Sequence, residues 1–238
     1  MERNPAPFVL ASILTSYPTA HAPEHVPDIL ADIGLELPDD LRALILKKTA
    51  AENLVDLQSE YITLFDNGRT LNPVNETEYN RRHTMTKGTE LADIAGFYKA
   101  FGFELDLSLD GMEMLDHVGI ELEFHALMLM KERHLTEAND AKGVEIVGSA
   151  MRSFLTAHLG RFVGAIARRP GVKGSAFYGP VFAWCARLVE GECRRLNLDV
   201  VPAEWLDGEA VGNEDMNCGP GTGRSIRREA TSLLPFRT

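Results

Sequence analysis

Four titratable side chains recur at four-residue steps: Glu113, His117, Glu121 and His125. On a helix this spacing turns all four toward one side. Carboxylate and imidazole at i and i+4 are donors that suit zinc or iron. The paired Glu-x-x-His arrangement of di-iron bundles is missing, and one helix supplies every donor. The same groups also read as titratable side chains along a wet groove, with a helical metalloprotein as the alternative. A second pattern, His21-Ala22-Pro23-Glu24-His25, fits the H-x-x-E-H zinc motif. Proline breaks a helix that would align the two imidazoles, so this match is read as coincidence. No metal site is assigned.

Other chemistry lacks a carrier. Gly219-x-Gly221-x-Gly223 follows no strand-like run and opens no helix, so it is no dinucleotide fingerprint. There is no P-loop, and no Ser or Cys stands in a nucleophile motif. Asn75-Glu76-Thr77 is a glycosylation sequon without meaning in the cytosol. The chain is read as a non-enzyme with no cofactor of its own.

The helix bearing the first pattern is the most informative segment, Met112 to His134. At about 100° per residue, Leu115, Val118, Leu122, Ala126 and Leu129 form one apolar stripe, the expected core face. The opposite face mixes His117, Glu121, Phe124 and Met128. Acid interleaved with rings and thioether suggests a surface that receives an amphipathic segment. Asp116, Glu123 and Leu127 add acid on a third side. The competing reading is a helix covered on two sides by its neighbours.

The rest of the chain must position that helix, and its period is helical too. Apolar residues step by three and four at Leu54, Leu57, Tyr61, Leu64 and Phe65, and at Leu91, Ile94, Ala95 and Tyr98. They do so again from Met151 through Phe154, Leu155, Leu159, Phe162 and Val163 to Ile166, and from Phe177 through Val181, Trp184 and Cys185 to Leu188. Tyr61, Phe65, Tyr98 and Trp184 are read as core. Pro5, Pro23 and Pro38 stand where a first helical turn tolerates a missing N–H. Thr89 can cap the helix ending near Gly102, and Pro170-Gly171 stops the one before it. Strand-like alternation is almost absent, so an all-α bundle of roughly eight to ten helices is expected. Asp66 to Gly88 is a polar loop long enough to be functional. Residues 1–135 are read as an N-terminal helical part and 136–206 as a C-terminal one, hinged at the polar stretch Thr136 to Gly148. Residues 207–238 read as a flexible Gly-rich tail.

With 24 Lys and Arg against 35 Asp and Glu, the 238-residue chain carries a net charge of −11, which disfavours phosphate backbones as partners. Three cysteines without a C-x-x-C pair suggest reduced thiols. No cationic leader precedes an apolar core at the N-terminus, and no apolar run approaches the roughly 20 residues of a membrane helix. A soluble cytoplasmic protein is expected.

Four blocks carry a family resemblance. Tyr17-Pro18 ends the first helix, and Glu60-Tyr61-Ile62-Thr63-Leu64-Phe65 leads into a loop with Pro73 and Glu76-Thr77-Glu78-Tyr79. Then come Glu90-Leu91-Ala92-Asp93-Ile94-Ala95-Gly96-Phe97-Tyr98 and Asp116-His117-Val118-Gly119-Ile120-Glu121-Leu122-Glu123-Phe124. In this order and spacing they resemble the TorD/DmsD/NarJ family of molybdoenzyme maturation chaperones. The likeness is to the branch serving type II dimethyl-sulfoxide-reductase-like enzymes, with Asp66-Asn67-Gly68-Arg69 resembling the nitrate-reductase branch. The resemblance implies an all-helical, non-catalytic protein that binds the N-terminal, twin-arginine region of a catalytic subunit. It also implies that the client is held until its molybdopterin cofactor is inserted. Such a leader pairs arginine with an apolar run, and a seat for it needs carboxylates and an apolar floor. Asp116, His117 and Glu121 are the expected polar contacts, with Phe124, Met128 and Tyr79 as the apolar ones. The loop near Glu76 and Tyr79 is expected to close over them. Monomer and domain-swapped dimer both fit this reading.

Overall fold

The computed structural model describes residues 3–33, 37–68, 71–79, 87–104 and 114–205. Among them the chain is all-helical, with ten α-helices and no strand beyond one isolated bridge. They are α1 (Ala6–Thr15), α2 (Ala22–Ile33), α3 (Asp39–Thr49), α4 (Leu54–Tyr61) and α5 (Lys87–Ala100). After these come α6 (Val118–Glu137), α7 (Ala141–Ala157), α8 (Leu159–Arg168), α9 (Pro170–Gly174) and α10 (Tyr178–Arg195). The chain divides into two units, Met1–Leu206 and Asp207–Thr238, and the second lies outside the described residues. The expected Gly-rich tail therefore lies there as well.

Three prolines act at helix starts, whereas Pro27 lies inside α2. Pro5 and Pro38 are the N-caps of α1 and α3, while Pro23 is the second residue of α2. None of these places asks for an intrahelical N–H. The helix expected to begin at Thr89 begins two residues earlier, at Lys87, and ends before Gly102, whose φ is +63°. The run from Met151 to Ile166 was expected as one helix and is two. His158, at φ −125° and ψ −100°, interrupts it between α7 and α8. All seven apolar residues of that run remain buried. The polar stretch Thr136 to Gly148 is a turn through Asn139, at φ 56°, followed by the first turns of α7, capped by Asp140.

The core is built around α6. The N-terminal α1 lies along it, and also packs on α2 and α10; α7 covers another side, and α8 packs on α10. Gly119 permits the close approach of α1, because a Cβ there would run into the Ser16 hydroxyl and the Ser12 carbonyl. Tyr61, Phe65, Tyr98 and Trp184 are buried, as the helical stripes require.

Candidate functional site

Two segments far apart in sequence meet at the start of α6. Residues 71–79 cross its first turn and are tied down by backbone pairing. Glu76 N–H donates to the Asp116 carbonyl (2.8 Å), and Val118 N–H donates to the Val74 carbonyl (2.9 Å). Asn75 and His117 form an antiparallel bridge between these bonds. The Asp116 side chain completes the tie. It accepts from Asn75 Nδ2 (3.1 Å), from Thr77 N–H (3.1 Å) and from the Thr77 hydroxyl (2.6 Å). Three donors on one carboxylate fix a short segment that has only one 3₁₀ turn, Glu76–Glu78, of its own. Tyr79 turns inward, donates to the Pro73 carbonyl (2.7 Å) and packs near Phe162 and Trp205.

His117 caps α6. Its Nδ1 accepts from Gly119 N–H (3.0 Å), which leaves the proton of the neutral ring on Nε2, 3.1 Å from the Tyr61 hydroxyl. One turn on, Glu121 is fully buried, and neither carboxyl oxygen meets an amide, hydroxyl or cationic donor among the described residues. Burial, then the neighbouring Glu76 and Asp116 carboxyl groups and a side-chain hydrogen bond with Glu76, hold its carboxyl well above the usual range. Glu90 is raised in the same direction by burial and then by Glu76. Glu76 in turn reaches His158 Nδ1 (3.0 Å), and His158 Nε2 meets Asp93 (3.1 Å). Burial pulls the His158 imidazole down, but the two carboxylates outweigh it and leave it raised. A carboxylate on each nitrogen favours the doubly protonated ring.

The structure brings together Glu76, Asp116, His117 and Glu121, while Tyr79, Phe124 and Met128 belong to the core. It corrects the expectation that they line an open trough. All seven side chains are enclosed, none more than 3% exposed. Phe124 sits among Tyr98, Phe101, Phe103 and Phe154, with ring centroids 4.8–6.3 Å apart. The face opposite the expected core stripe is thus internal too, because α1, α7 and residues 71–79 surround α6. Glu121→Ala would therefore empty a buried site rather than trim a surface.

The rival ligand face is not assembled among the described residues. Glu113 lies outside them. His117 is engaged with Tyr61 and Gly119, Glu121 with the acid cluster, and His125 packs edge-on to Phe8 (4.5 Å) near Glu192 (3.8 Å). Burial holds His125 below the ordinary histidine range. Sequence reasoning missed the partners that hold the junction: Asn75, Thr77, Asp93 and His158. The first two lay in the dismissed sequon. Asp93 lay in the quoted Glu90–Tyr98 block, while His158 carried only the signal of a histidine inside an apolar helical run.

Among the described residues no helix is long and apolar enough to cross a membrane. The nitrate reductase delta subunit family matches residues 29–168, more than half of the chain, and that span includes the whole junction. A selenate reductase assembly chaperone protein of Thauera selenatis is 31% identical over 142 residues, which is 59% of this chain and 70% of that protein. A chlorate reductase assembly chaperone protein of Ideonella dechloratans is 28% identical over the same shares of both chains.

Proposed function

Since the chain belongs to the nitrate reductase delta subunit family, we propose that it is the cytoplasmic assembly chaperone of a molybdenum oxidoreductase. Its relatives are named as assembly chaperones, and the chain acts as a chaperone rather than as an enzyme. In this reading it binds the N-terminal twin-arginine region of the catalytic subunit and holds it until the cofactor is inserted. The seat is the junction between residues 71–79 and the first turns of α6. Without a client it is closed. In this reading, displacing residues 71–79 frees Glu76, Asp116, His117 and Glu121 for a guanidinium and turns Tyr79 out toward an apolar run, while Phe124 stays packed between Tyr98 and Phe154.

The observation that carries this assignment is Glu121, a fully buried acid that no amide, hydroxyl or cationic donor reaches among the described residues and whose polar neighbours, Glu76 and Asp116, are acids too. A buried polar group left unmet costs about 1–3 kcal/mol. An arriving guanidinium offers five donors and the opposite charge. It would bring positive charge and donors to a site where Glu121 has only acids for polar neighbours, and thereby offset part of the work of opening the segment.

Titration of the full chain with a client leader peptide, native and with its paired arginines changed to alanine, tests the proposal. The native peptide is expected to bind at least about tenfold more tightly, since one charge-assisted hydrogen bond contributes about 1.5–3 kcal/mol. Equal binding of the two peptides would overturn the leader-binding role.

A further inference from the structure

The pattern set aside at the first reading returns at the start of α2. Pro23 does not interrupt the helix there, because its missing N–H falls in the first turn, where no intrahelical partner exists. The amides of Glu24 and His25 both donate to the His21 carbonyl at 3.1 Å, so helical geometry already runs through the motif. His21, Glu24 and His25 therefore stand at i, i+3 and i+4 on one side. One ligand atom from each lies within 4.8 Å of the other two, and His21 Nδ1 is 3.7 Å from Glu24 Oε2. The two imidazole centroids are 6.2 Å apart. All three residues are exposed, with side-chain exposures of 76% for His21 and 70% for Glu24.

We propose that His21, Glu24 and His25 form a surface site for a divalent first-row transition ion. Two neutral imidazoles and one carboxylate are a donor set of intermediate softness that suits zinc, nickel or copper more than magnesium or calcium. Tetrahedral donors about 2.1 Å from a zinc ion stand about 3.4 Å apart. The present separations close to that value by side-chain rotation, which open solvent permits. A helix N-terminus repels a cation, and the Glu24 carboxylate in the first turn supplies the opposing charge. Three protein donors leave a coordination position open for water or for a donor from another molecule. The site shares no residue with the junction at α6, so its test is independent of the chaperone reading.

Calorimetric titration of Zn²⁺ into the full chain at neutral pH, stripped of metal and free of a histidine tag, tests the site. One equivalent is expected to bind, with His21→Ala and His25→Ala each weakening it at least about tenfold. Absence of binding, or a His21→Ala/His25→Ala double variant that binds as tightly as the wild type, would overturn the proposal. A second measurement needs no variant. Electron paramagnetic resonance of the wild type with one equivalent of Cu²⁺ is expected to show two coordinated imidazole nitrogens, and a spectrum without nitrogen coupling would count against the site.

Discussion

Glu121 sets a pH dependence at the scale of a single residue. Its carboxyl is held well above the usual range by burial, then by Glu76 and Asp116, so the folded protein keeps a proton that the unfolded chain releases. A group raised on folding contributes stability below its unfolded value and loses that contribution as pH rises toward its folded one. Glu121→Gln is uncharged at every pH and lacks this loss. The unfolding free energy of the variant minus that of the wild type should therefore increase by about 1.4 kcal/mol for each pH unit above the ordinary carboxylate range, until the raised value is passed. Urea denaturation across mildly acidic to neutral pH measures the difference, and a flat one would mean that Glu121 is ionised in the fold. His158 shifts in the same direction but is common to both proteins, so it cancels.

At the scale of an element, the segment of residues 71–79 leans on one side chain. It has no regular structure beyond a single turn, and its place on α6 depends on three hydrogen bonds to the Asp116 carboxylate. Asp116→Ala leaves Asn75 and Thr77 donors buried without that partner. It should cost about 2–4 kcal/mol, toward the upper end for a charged acceptor, read as a lower urea midpoint with the slope unchanged. The loss should be accompanied by faster amide exchange of Thr77, whose N–H bonds that carboxylate. A variant as stable as the wild type would show that the segment is held by its apolar contacts, Tyr79 above all.

Across the whole molecule, α1 ties together the two helical parts read on either side of residue 135, since it packs on both α6 and α10. Neither part can keep its apolar face covered alone. Residues 3–205 should then unfold in one transition. Far-UV circular dichroism, which sees every helix, and the fluorescence of Trp184 in α10 and of Trp205 should share a midpoint. Two midpoints would support the two-part division instead. The net charge of −11 belongs to this scale as well. It favours a basic partner at long range but selects no residue to meet it.

The helical class was legible from the sequence because a 3.6-residue period reports, locally, which side of each helix is apolar. The helix starts at Pro5, Pro23 and Pro38 were legible because a missing N–H is a local property, and the family likeness was legible from four short blocks. Glu76, Asp116, His117 and Glu121 gather at the start of α6, but the exposure expected of the seven candidate residues is not there. Periodicity assigns a face to α6 without saying how many other elements cover it, and here α1, α7 and residues 71–79 enclose the side that was read as open. The pairing of Glu76 with His158, 82 residues away, is likewise a product of packing. So is the break at His158, where an apolar pattern alone would run straight on. Burial and the charge state of an acid depend on every chain segment that comes near, and those segments are brought together only by the tertiary structure.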